Sequence, residues 1–114
     1  MITIEFEQDA LKGVYCLKVK GHADFDEYGK DIVCSAVSIL TYTVAKAVSF
    51  MYEEKKLYKK PNVILEDGNA TVICKPKEAF HEEALHILLV AEVGYSLLEQ
   101  AYPDHVKLKP FGKA

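Results

Sequence analysis

The stretch DIVCSAVSILTYTVAKAVSFM, Asp31 to Met51, decides the fold. Val33, Val37, Leu40, Val44, Val48 and Met51 recur at three- and four-residue spacing, the period of an amphipathic helix. The pattern predicts a helix from Asp31 to about Lys56. Its other faces carry Ile32, Ile39, Tyr42, Ala45 and Phe50. A helix apolar around so much of its circumference is buried on more than one side, here against a sheet and against a second subunit. The longest run without charge, Ile32 to Ala45, is shorter than the roughly 20 residues that span a bilayer, and it holds several hydroxyls.

Outward from this helix the periodicity changes. ITIEFEQ (2–8) and VYCLKVK (14–20) alternate, with Ile2, Ile4 and Phe6 on one face and Tyr15, Leu17 and Val19 on another. The turn residues between them, DALKG, join the two as an antiparallel hairpin. Downstream, KKPN breaks the helix. VILE and TVICK then flank DGNA, whose Asp67-Gly68 pair is a strong hairpin signal. A second helix from about Lys77 to Ala101 carries the stripe Phe80, Ala84, Leu88, Ala91, Tyr95 and Leu98, and Pro103 ends it. HVKLK (105–109) reads as a last edge strand. The order β-β-α-β-β-α-β predicts an α+β fold, two long helices on a mostly antiparallel sheet, with residues 1–114 as a single domain.

A chain of 114 residues can bury roughly 65% of its unfolded surface, enough for a core without metal or disulfide staples. The net charge of −3 offers no basic face for nucleic-acid backbone and suits a basic protein partner. MITIEFEQD has neither the basic nor the apolar region of a signal peptide. Cys16, Cys34 and Cys74 are an odd count without a C-x-x-C pair, which reads as free thiols. These features predict a cytoplasmic protein with no membrane or nucleic-acid partner, and no pattern asks for a metal or cofactor.

The chemistry concentrates where the first helix begins. Asp31 precedes the helical period and is an N-cap type. Cys34 then falls in the first turn, beside backbone N–H groups and the positive end of the helix dipole, which favour thiolate. His22, just past the second strand, returns toward the helix start across a polar loop and is placed to accept the thiol proton. N–H groups at the helix start offer an oxyanion site, and Ser35 and Ala36 are small enough for a substrate backbone to approach. Asp31 has two roles open to it, capping the helix or also orienting His22. The loop residues Asp24, Phe25, Asp26, Glu27, Tyr28 and Gly29 read either as a solvated loop or as a lid. As a lid, it hinges on Gly29 and its acids attract a basic substrate. A first-turn cysteine can equally be a small buried hydrophobe, and a loop histidine merely solvated.

Gly21-His22-Ala23, then Gly29, Asp31-Ile32-Val33-Cys34 and Ala36-Val37-Ser38, resemble the signature of the ribosomal-processing cysteine protease Prp family (YsxB-like). The resemblance extends to length and element order. Ser35 departs from it, since alanine is commoner there. The resemblance implies a bacterial cysteine endopeptidase with Cys34 as nucleophile and His22 as base. It also implies a homodimer and a substrate, the precursor of large-subunit ribosomal protein L twenty-seven, from which an N-terminal extension is removed.

Two other classes share these residues. A non-catalytic, ribosome-associated binding module would use the same surface with Cys34 incidental, and a redox sensor would use Cys34 without a resolving partner. HEEALH (81–86) imitates the H-E-x-x-H zinc motif in the wrong register, since Leu85 stands four residues after His81.

Overall fold

In the computed structural model, which describes residues 1–27 and 29–112, the two alternating segments form strands β1 (Ile2–Asp9) and β2 (Val14–Gly21). They pair antiparallel with Ile4 opposite Val19 and Phe6 opposite Leu17, so both apolar sets face the same side. Helix α1 spans Ile32–Glu53, strands β3 and β4 span Asn62–Glu66 and Asn69–Cys74, helix α2 spans His81–Ala101, and strand β5 spans Val106–Lys109. The sheet order is β3-β4-β2-β1-β5. All pairings are antiparallel except β1 with β5, which makes the sheet mixed and places β5 at an edge.

Both helices lie on the apolar side of the sheet. Val72 and Cys74 of β4 join Leu17, Ile4 and Phe6 beneath Val33, Val37, Val44, Val48 and Met51 of α1 and Ala84, Leu88 and Tyr95 of α2. By length and composition alone α1 resembles a membrane span, but this stripe makes it a core helix. The buried stripe departs from the sequence pattern at two places: Thr41, not Leu40, faces inward, and Ala45, expected on another face, is buried with it. The Thr41 hydroxyl donates to Val37 O at 2.8 Å and meets the Tyr95 hydroxyl at 2.7 Å, so neither buried polar group lacks a partner. Leu40 instead packs on Gly94 of α2, where an added Cβ would stand 2.9 Å from Leu40 Cδ2.

Helix α1 stops at Glu53 rather than near Lys56. Lys55 takes a left-handed φ of 63°, Lys55 N–H bonds Tyr52 O and Lys56 N–H bonds Met51 O, which is a Schellman-type stop built without glycine. The lysines of residues 55–60 therefore follow the helix instead of forming its last turn. The second helix begins as a 3₁₀ turn over Glu78–Phe80 and becomes α-helical at His81, later than the expected Lys77.

Candidate active site

Asp31 caps α1 as its sequence position predicts. Oδ1 accepts from the N–H groups of Val33 at 3.0 Å and Cys34 at 2.9 Å. Oδ2 accepts from Phe25 at 2.9 Å and, more loosely, from Asp26 at 3.4 Å. One carboxylate thus ties the helix start to the loop before it. The side chain is almost wholly buried, which by itself would raise its pKa. The N–H bonds from Cys34, Phe25 and Asp26 outweigh burial and hold the carboxyl below the ordinary aspartate value. Asp31 is hydrogen-bonded to none of the His22 ring atoms among the described residues.

Cys34 stands in the first turn, half-buried, with Sγ accepting from Ala23 N–H at 3.3 Å. Ala23 is gripped from the other side as well, because His105 Nδ1–H donates to its carbonyl at 2.7 Å. Phe25 packs edge-on against Tyr102 and His105, with ring centroids 5.2 and 5.3 Å apart. The segment between β2 and α1 is thereby anchored to the chain just before β5. The expected thiolate-favouring environment is not what the free protein holds. Burial pushes the Cys34 thiol up, the Ala23 N–H pulls it down, and the Asp31 charge pushes it up again, for a net rise.

His22 is exposed at the end of β2. Its Nδ1 lies 3.8 Å from Asp67 Oδ1, and its ring rests above Gly68 in the β3–β4 turn. No hydrogen bond joins the imidazole to Cys34 Sγ among the described residues. Both residues nevertheless line one cleft of about 840 Å³, together with Asp24, Asp26, Gly29, Asp31, Ser35, Glu66 and Asp67. Four exposed carboxylates, Asp24, Asp26, Glu66 and Asp67, give this cleft an acidic rim.

The other expected site residues fall as follows. Asp24, Phe25, Asp26 and Glu27 are all exposed, Phe25 with one edge against the Tyr102 and His105 rings. Gly29 has a left-handed φ of 87° with open space around it. Tyr28 lies outside the described residues. Ser35 is exposed, but its N–H and its hydroxyl both donate to Asp31 O at 3.1 Å. With Val33 and Cys34 also bonded to Asp31, the N–H groups expected to hold an oxyanion at Val33, Cys34 and Ser35 already have partners. Ala36 is small and half-buried. His81 is half-buried, its Nδ1 3.4 Å from the Tyr15 hydroxyl, and His86 is exposed; the described residues contain no cluster of three metal-ligating groups. Cys16 and Cys74 are buried in their strands, and burial pushes the Cys74 thiol up to about 11.

Sequence reasoning did not find Asp67, Gly68, Tyr102 or His105. Asp67-Gly68 was legible only as a turn, and nothing local in HVKLK shows that His105 reaches back to Ala23.

Comparison with known proteins gives a consistent picture. The family model described as "Cysteine protease Prp" matches residues 1–107. The ribosomal processing cysteine protease Prp of Staphylococcus aureus strain Mu50 is 26% identical over 108 residues, covering 95% of this chain and 97% of that protein. Its Bacillus subtilis counterpart is also 26% identical, over 111 residues, with 95% and 96% covered. Among solved structures, the S. aureus protease with a covalently linked product peptide superposes with a TM-score of 0.71 at 24% identity, covering 96% of this chain and 99% of that one. SMU.848 from Streptococcus mutans gives 0.68 at 25% identity, with 97% and 94% covered.

Proposed function

This chain belongs to the cysteine protease Prp family, and from that premise we propose that it is an endopeptidase that processes a ribosomal protein precursor with Cys34 as nucleophile and His22 as general base. The observation that carries the assignment is the shared cleft: the two residues enter it from β2 and α1, and its rim is acidic. A basic ribosomal protein suits such a rim. Relatives named for ribosomal processing support the same substrate class. We assign the substrate as the extended precursor of large-subunit protein L twenty-seven, cut in the cytoplasm.

In this reading the substrate peptide lies along the cleft past Ser35 and Ala36. The Cys34 thiol gives its proton to the His22 imidazole as Sγ bonds to the scissile carbonyl carbon. The imidazolium then protonates the departing amine as the C–N bond breaks. Water attacks the thioester, passing one proton to His22, and the acid leaves as the thiol is restored. A thiol held neutral in the free protein makes the base essential from the first step. Substrate brings ring and sulfur together by shifting the loop that precedes α1, with Gly29 as hinge. This fits catalytic bonds that tighten only in the Michaelis complex.

A second copy of the chain covers the outer helix faces. Ile32, Ile39, Tyr42 and Phe50 of α1 and Val90, Val93 and Leu97 of α2 are all exposed, an apolar set suited to a partner copy. Sedimentation should give a dimer.

The test is cleavage of the extended ribosomal protein by the wild type and by Cys34→Ala. Cleavage by the wild type alone supports the assignment. Tight binding without cleavage by either would replace it with a binding module.

A further inference from the structure

We infer that the β3–β4 turn is the positioning element for the catalytic imidazole, with Asp67 holding Nδ1 and Gly68 forming the floor under the ring. The inference rests on the proposed role of His22. Three contacts converge on it from this one turn. Asp67 Oδ1 is 3.8 Å from Nδ1. A Cβ on Gly68 would stand 2.8 Å from Nε2, so a side chain at residue 68 would push the ring from its present place. Gly21 N–H donates to Gly68 O at 2.9 Å, which locks the residue before His22 to the turn.

The rival carboxylate, Asp31, is not free for the task. Its two oxygens already accept four N–H groups, the capacity of a carboxylate. Asp67 has no such obligation and lines the same cleft as His22 and Cys34. At 3.8 Å Asp67 is an ion-pair neighbour of Nδ1 rather than its hydrogen-bond partner; on closing to hydrogen-bond distance in the substrate complex, it fixes the proton on Nδ1 and leaves Nε2 as the base, the division of labour that nucleophile–base–orienter sites use. Gly68 has a φ of 72°, a conformation asparagine also accepts, so floor and backbone can be separated experimentally.

Steady-state cleavage of a peptide spanning the extension junction, with thermal melting alongside, tests this. Asp67→Asn should lower kcat about tenfold with KM and melting temperature nearly unchanged, and Asp67→Glu should recover most of the loss. Gly68→Asn, which keeps the turn but adds a Cβ, should also lower kcat without unfolding. Full kcat in Asp67→Asn, or a loss confined to KM, would overturn the inference while leaving the protease assignment intact. Undiminished cleavage by Cys34→Ala in the same assay would overturn both.

Discussion

Two of the four aspartates that line the cleft, Asp31 and Asp67, are held in opposite ways. Asp31 is 6% exposed and accepts four backbone N–H groups, while the Asp67 side chain is 72% exposed and has one loose contact, with His22. The first is part of the frame and the second part of the mechanism. Removing a carboxylate that organises backbone costs stability. Removing an exposed one costs little stability, because surface ion pairs contribute about 0–1 kcal/mol. The same residue type, a few side chains from the same sulfur, therefore separates the energetics of folding from those of catalysis.

The largest test of that separation is at the proposed nucleophile and base. Cys34→Ala should reduce turnover by at least about a thousandfold, and His22→Ala by about a hundredfold or more, neither shifting the denaturation midpoint much. Equal activity in His22→Ala and wild type would remove the imidazole that Asp67 is proposed to serve.

Asp31→Ala probes the frame. It should cost about 1–2 kcal/mol in urea unfolding, the range of a lost N-cap, and also slow cleavage through the loosened Phe25 segment. The pH dependence carries the sign. The folded Asp31 pKa is depressed, so its contribution is complete above the ordinary aspartate value and is lost as pH falls through the folded one. Asp31→Ala should therefore flatten the acid limb of stability.

A smaller effect is expected along the loop. Neutralising Asp24, Asp26 and Glu27 together should raise KM about two- to fivefold at low salt and hardly at all at high salt, as screened steering requires. If the salt dependence survives in the triple variant, steering comes from Glu66 and Asp67 instead.

The smallest change is a displacement of a midpoint. In the free protein, alkylation of Cys34 by iodoacetamide should rise with pH above the range of an unperturbed cysteine, and substrate-like peptides should bring it down. A free-protein midpoint below that range would contradict the raised thiol.

The strands, both helices and the Asp31 cap were legible because each leaves a local period or an end signal. Leu40 stands in the sequence stripe because hydropathy ranks it above Thr41, whereas the Val37 carbonyl and the Tyr95 hydroxyl, the latter on another helix, together satisfy the inward threonine. The cap was readable but its full load was not, since the Phe25 and Asp26 N–H groups reach Asp31 through a loop without period. Cys34 and His22 could be named as candidates, yet Asp67 could not. Its link to His22 depends on β4 pairing with β2, a contact between distant segments.

The parallel pairing of β1 with β5 also sets an order in time. Ile2 lies beside Val106 in the sheet, although the chain between them makes every other element. As the polypeptide is synthesised, β1 and β2 can pair early, whereas Tyr102 and His105 emerge late. Ala23 and Phe25 gain their contacts with His105 and Tyr102 only then. A nascent chain thus carries the cysteine and the histidine before it has the scaffold that gathers them, and should be inert toward neighbouring ribosomal proteins during its own synthesis. Chains arrested before Tyr102 should show Cys34 alkylating like an ordinary exposed thiol.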